Sequence, residues 1–316
     1  MNRRNFLTGL GGTALANRLT GWSLISAAPS TLKLGVITDE ISQDFDHALA
    51  VSRELGLQFV ELRQMWSKNL MDLKEDEIKE ARRLLTKYGL KVSDIASPFM
   101  KVDAPGFTTK EGQRDTFNAR FGYKEQPEVL QRAIELAKVL DTDKIRVFSF
   151  WRIEKPAQLF DLVVSDLRKA LEKAKKQNIK LVLENEHDCN IATAAESVRL
   201  LAAIQDPYLG LNWDPGNAYA AGERPYPDGY NLLPKNRILH MHIKDAKRNS
   251  AGKSDWTTMG KGDIDYAGQF KALMRDGYSY AVSLETHWRN EKKNAEESTR
   301  ICMQGMKDLI ARATRT

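Results

Sequence analysis

Residues 181–187, 209–217, 238–245 and 281–287 read LVLENEH, LGLNWDPGN, ILHMHIKD and AVSLETH. In each fragment an apolar run of strand length ends on a side chain that can bind a metal: Glu184, Asp214, His242 and Glu285. Short apolar runs bounded by helix-like segments are the pattern of parallel strands covered on both faces. Four such ends from four successive strands set three carboxylates and one imidazole at equivalent positions. That donor set suits one hard to borderline divalent ion. Each acid alone has a plainer reading as the N-cap of the helix that follows.

The same alternation continues upstream. Strand-length runs fall at 32–37, 58–62, 91–96, 144–148, 180–183, 209–213, 237–243 and 280–284. Helical patterns fall between and after them at 45–55, 75–88, 127–140, 156–177, 193–204, 266–275 and 295–311, with a weakly helical Gly/Pro/Tyr-rich connection at 218–235. Gly56, Gly89 and Gly277 each stop a helix just before the next strand. Eight strands alternating with helices predict a closed (β/α)8 TIM barrel, a single α/β domain over residues 29–316. The long irregular stretch 98–126 predicts a partial lid.

Residues 1–28 carry Arg3, Arg4 and Arg18 and no acid, followed by a Gly/Ala-rich apolar run with small residues near Ala27 and Ala28. This order resembles a twin-arginine export signal, which implies passage of the folded chain through the twin-arginine machinery to the periplasm or another extracytoplasmic space. The formal charge of +6 falls to +3, 45 basic against 42 acidic residues, once those three arginines are removed. So small a balance gives no argument for a nucleic-acid partner. Cys189 and Cys302 are expected to be free structural thiols.

LENEH, WDPGNA, HMHIKD with Gly260 and Gly262 beyond it, and GYSYAVSLETHW resemble the xylose-isomerase-like TIM barrels, a group of sugar isomerases and epimerases, inosose dehydratases and endonuclease-IV-type nucleases. The resemblance covers residues 32 to about 312. It implies one divalent ion (manganese before magnesium, cobalt or zinc) on Glu184, Asp214, His242 and Glu285, with Glu184 and Glu285 as the catalytic acid/base pair. It implies α-proton abstraction through a metal-bound enediolate, hence a sugar isomerase or epimerase. If a β-leaving group departs instead, the same site gives a keto-sugar dehydratase or a 3-keto-glycoside lyase or hydrolase. Barrels of this group often pair, so a homo-oligomer is allowed.

Two departures stand out. Asp214-Pro215-Gly216-Asn217 replaces the Asp-x-x-His common in the epimerases, and Glu186 displaces His187 by one place after the fifth strand. Residues expected to bind a small sugar or keto-sugar are Glu61, Arg63, Trp66, Lys101, Trp151, Arg152, His187, Asn217 and Lys244, with Trp256, His287 and Trp288 on the rim. Aromatic faces cover the C–H faces of sugars, while charged groups bind hydroxyls. Asp39 and Glu40 could instead cap the first helix. An endonuclease-IV-type nuclease needs several further histidines in the first half, where only His47 precedes His187. A non-catalytic sugar-binding barrel is allowed by the fold but leaves the three acids and the imidazole unused.

Overall fold

The computed structural model describes residues 32–109 and 116–315. The expected export signal and residues 110–115 of the expected lid lie outside the described residues. Eight parallel strands form the barrel: β1 (Lys33–Val36), β2 (Phe59–Leu62), β3 (Lys91–Ile95), β4 (Lys144–Val147), β5 (Lys180–Glu184), β6 (Leu209–Trp213), β7 (Ile238–Ile243) and β8 (Ala281–Leu284). Each pairs with the next, β8 pairs with β1, and a parallel bridge between Ile37 and Glu61 joins β1 to β2.

The helices are α1 (Phe45–Glu54), α2 (Glu75–Tyr88), α3 (Gln126–Val139), α4 (Phe160–Lys176), α5 (Ala194–Ala203), α6 (Pro215–Ala220), α7 (Tyr230–Leu232), α8 (Tyr266–Arg275) and α9 (Ala295–Arg315). In α2 the buried residues Ile78, Ala81, Leu84 and Leu85 fall on one stripe, which faces inward because its opposite face is charged. Gly89 ends that helix in the left-handed region at φ 61°. Asp44, rather than Asp39 or Glu40, caps α1 by accepting from the His47 amide. Among the described residues no helix is long and apolar enough to cross a membrane.

Two short ribbons flank the barrel mouth: Gln64–Met65 with Lys68–Asn69 after β2, and Asp245–Arg248 with Ser254–Thr257 after β7. Part of the 98–126 stretch turns inward. The Phe117 ring centroid lies 3.5 Å from the Arg63 guanidinium carbon and 5.2 Å from Lys101 Nζ. Cys189 and Cys302 are both free and buried.

Candidate metal centre

The barrel brings Glu184, Asp214, His242 and Glu285 together. All four are buried, and one donor atom from each lies within 4.8 Å of the others. Local hydrogen bonds fix the strand ends that carry them. Asn185 accepts from the Asp214 amide at 2.7 Å and donates to the Asp214 carbonyl at 2.9 Å, tying the end of β5 to the end of β6. Asp214 Oδ1 accepts from the Asn217 amide at 2.9 Å, so this acid is also an N-cap, of α6. Its Oδ2 has no hydrogen-bond partner of normal geometry, and neither has Glu184 Oε2. Buried oxygens without donors are costly unless a cation meets them. Partial compensation comes from Lys244 Nζ, 2.6 Å from Asp214 Oδ2, and from Arg146, 3.3 Å from Glu184 Oε2.

His242 turns Nδ1 towards the carboxylates, at 3.3 Å from Glu184 Oε1, 3.4 Å from Glu285 Oε2 and 3.9 Å from Asp214 Oδ2. Its Nε2 meets Glu61 Oε2 at 2.8 Å. A carboxylate behind a ligating imidazole fixes the ring's orientation and tautomer. Glu61 therefore sits beneath the centre and not on the substrate wall where the sequence reading put it. It also holds His240 Nε2 at 3.1 Å, and His240 lies 3.4 Å from Asp94 Oδ1. Burial alone would depress the His242 pKa, but Glu61, Glu184 and Glu285 hold it well above the ordinary imidazole range. Burial would raise Glu184 and Glu285. His242 and Arg146 hold the first below the usual carboxylate range, and Lys244, His287 and His242 hold the second well below it. For Asp214 burial prevails over Lys244, and its pKa is raised.

The remaining expected contacts divide into two groups. Lys244 reaches the centre, with Nζ 2.5 Å from Glu285 Oε2. Asn217 donates to Glu184 Oε1 at 3.0 Å and approaches His187 Nδ1 through its own Oδ1 at 3.0 Å. His187 lies 2.7 Å from Glu186 Oε1, and Lys101 Nζ is 3.3 Å from Glu186 Oε2. Burial lowers the His187 pKa, but the Glu186 hydrogen bond and charge, with Asp188, raise it to about 9. The other four make their described contacts mainly with the surrounding scaffold, Arg63 with the centre as well. Arg63 is buried and divides its donors among Asp39, Glu40 and Glu285, at 2.9, 2.6 and 2.9 Å. Trp66 packs edge-on against Phe45 of α1. Trp151 is buried with Phe148 and Cys189. Arg152 braces the loop after β5 through Glu196 and the carbonyls of Cys189 and Asn190.

Sequence reasoning missed Arg146, Asp94 and the pairing of Glu186 with His187. Arg146 alternates with Ile145 and Val147 in β4, which marks it as facing the opposite side from those residues. Which side is the barrel interior is set only by closure of the sheet.

Carboxylates and an imidazole gathered at the C-terminal mouth of a closed parallel barrel make a group that could hold a metal ion, at the end where barrels of this kind carry their sites. The chain belongs to the Xylose isomerase-like TIM barrel family, whose signature matches residues 49–307. It is 30% identical over 177 residues to 3-oxo-isoapionate decarboxylase of Pectobacterium atrosepticum, covering 54% of this chain and 62% of that one. It is 29% identical over 132 residues to inosose dehydratase of Bacillus licheniformis, covering 36% of this chain and 42% of that one. The chain thus spans less than two thirds of the length of either curated relative. The crystal structure of a protein named IolI, which holds a zinc atom, superposes with a TM-score of 0.70 at 18% identity, covering 89% of this chain and 99% of that one. At that identity the likeness speaks for the fold.

Proposed function

We propose that this chain is a divalent-metal-dependent enzyme that removes the proton beside the carbonyl of a small sugar or keto-sugar, and returns it as an isomerase or epimerase. One observation carries the reading: Glu184 Oε1 and Glu285 Oε2 both approach His242 Nδ1, at 3.3 and 3.4 Å, with Asp214 alongside. A divalent ion held by these four residues, manganese before magnesium, cobalt or zinc, would act as a Lewis acid on adjacent carbonyl and hydroxyl oxygens and make the α C–H acidic. The surrounding cations keep Glu184 and Glu285 ionised, as a proton acceptor must be. The carboxylate on one face of the substrate takes the proton, and the glutamate on the other face returns one that it has first drawn from solvent. Lys244 and Arg146 set positive charge beside the oxygen that becomes negative. The relatives' names support the same chemistry, because decarboxylation of a 3-oxo acid and dehydration of an inosose both develop a carbanion next to a carbonyl.

The manganese-loaded protein, incubated with ketoses, aldoses and inososes in deuterated water, should place deuterium at the α carbon. Glu184→Gln and Glu285→Gln should each reduce that rate by about 10²-fold or more. Absence of exchange with every such substrate, while manganese is shown to be bound, would overturn the reading. A second reading, elimination from the same carbanion, is favoured by the placement of His187. We also propose that residues 1–28 direct export by the twin-arginine route, on the strength of Arg3-Arg4 and the run after them. Cytoplasmic retention of a folded reporter fused to that segment would refute it.

A further inference from the structure

We propose that His187 is the acid that protonates a departing oxygen, so that this site completes an elimination of water or an alcohol from the carbon β to the carbonyl. The proposal rests on the reading above that Glu184 or Glu285 first takes the α proton. Its substrate class is a keto-sugar, keto-glycoside or cyclic polyol ketone with a hydroxyl or glycosidic oxygen at the β position.

The geometry separates acid from base. His187 follows β5 three residues beyond Glu184, and between the two side chains stands the Asn217 amide, 3.0 Å from each. An amide holds both partners but carries no proton between them. A proton taken by Glu184 therefore stays there, and the proton for the leaving group comes from a different store. Asn217 Oδ1 meets Nδ1 at 3.0 Å, and Glu186 Oε1 stands 2.7 Å from the same nitrogen as its counter-charge. Nε2 faces Asp188 Oδ2 at 3.7 Å, outside hydrogen-bond range. His187 can thus release its Nε2 proton while Nδ1 stays held by Asn217 and beside the Glu186 carboxylate, the division of labour found where a carboxylate supports a catalytic imidazole. The His187 side chain is 32% exposed against 10% for Glu186, so the imidazole is the accessible member of the pair. The Trp256 ring stands edge-on at 6.0 Å, and beyond it His287 at 5.1 Å, walling the side nearest β7 and β8.

The charges facing the ring agree with an acid. Glu186 and Asp188 on its own loop favour the imidazolium, Lys244 from the end of β7 opposes it, and Lys101 from the loop after β3 pairs with Glu186. The net effect is the rise to about 9. The step balances. The carboxylate takes the α proton, and the electron pair of that C–H bond forms the new C=C bond. The β C–O bond breaks, and its electron pair takes the Nε2 proton. The products are an α,β-unsaturated ketone and water or an alcohol. His187 is left neutral and the glutamate protonated, and exchange with solvent restores both. Epimerisation returns its proton to carbon and needs no such third group.

The test uses the manganese-loaded full chain with the methyl and 4-nitrophenyl 3-keto-glucopyranosides in deuterated water, following α-deuterium incorporation and aglycone release together. With the methyl glycoside, His187→Asn should lower the ratio of release to exchange by about 10²-fold. With the 4-nitrophenyl glycoside the ratio should change far less, because 4-nitrophenolate leaves without a proton. Release of methanol by the wild type should decline as pH rises past about 9, and that limb should vanish in the variant. Imidazole nitrogen NMR of the protein without added metal should show a protonated His187 up to the same pH, and Glu186→Gln should lower that midpoint. An equal fall of exchange and release in His187→Asn, for both glycosides, would make the residue merely structural. Exchange by the wild type without release from either glycoside would refute the acid while leaving the proton-abstraction reading intact. Absence of exchange would remove both.

Discussion

At the scale of single residues, the centre is built from side chains that each serve two neighbours. Asp214 gives one oxygen to the first turn of α6 and turns the other, 2.6 Å from Lys244 Nζ, into the centre. The acid thus meets the plain N-cap reading with one oxygen and leaves the other where a metal ion could meet it. His242 likewise gives Nδ1 to the carboxylates and Nε2 to Glu61. Glu61 is fully buried and holds both His240 and His242, so its removal would free the ring that it orients. Glu61→Gln should weaken manganese binding about 10–100-fold, read by calorimetric titration, while Glu184→Gln should weaken it more. Unchanged affinity in Glu61→Gln would mean that His242 does not depend on that carboxylate for its position.

At the scale of elements, the segment after β7 is held by one buried acid. Asp245 accepts from the amides of Ala246, Gly260 and Gly262, at 2.9, 2.9 and 3.0 Å, and so draws residues 257–264 back against Lys244. Burial outweighs these bonds and leaves the Asp245 pKa at about 6. A methyl group on Gly262 would overlap Asp245 Oδ1 and the Ala246 carbonyl, and neither is the free end of a flexible chain. Gly262→Ala should destabilise the fold by about 1–3 kcal/mol, measured by urea unfolding. A stability equal to wild type would show that the segment yields without cost. The elements themselves were legible in the sequence. β6 and α2 match their expected bounds because apolar runs and caps are local signals. Arg63 was misread for the opposite reason. An arginine at a strand end signals solvent or ligand, and only the folded neighbours Asp39, Glu40 and Glu285 turn it into a buried counter-charge.

At the scale of the whole molecule, the convergence of Glu184, Asp214, His242 and Glu285 was legible because barrel topology brings equivalent positions on successive strands to one mouth. The polar layer beneath them, with Asp94 and Arg146, was not, since an inward charge looks the same in sequence as an outward one. That layer and the centre gather acids on β2, β3, β5, β6 and β8 into one interior, where like charges repel across short distances. A divalent ion that binds this arrangement, and not the unfolded chain, stabilises the whole barrel by mass action. At a free concentration 100 times its dissociation constant the gain is about 2.7 kcal/mol. At about 2–4 °C per kcal/mol for a chain of this size, manganese should raise Tm by roughly 5–10 °C. Chelation should reverse the rise, and Glu184→Gln or Asp214→Asn should remove most of it. A Tm that ignores manganese in the wild type, or a rise kept in full by both variants, would mean that the ion binds elsewhere or not at all.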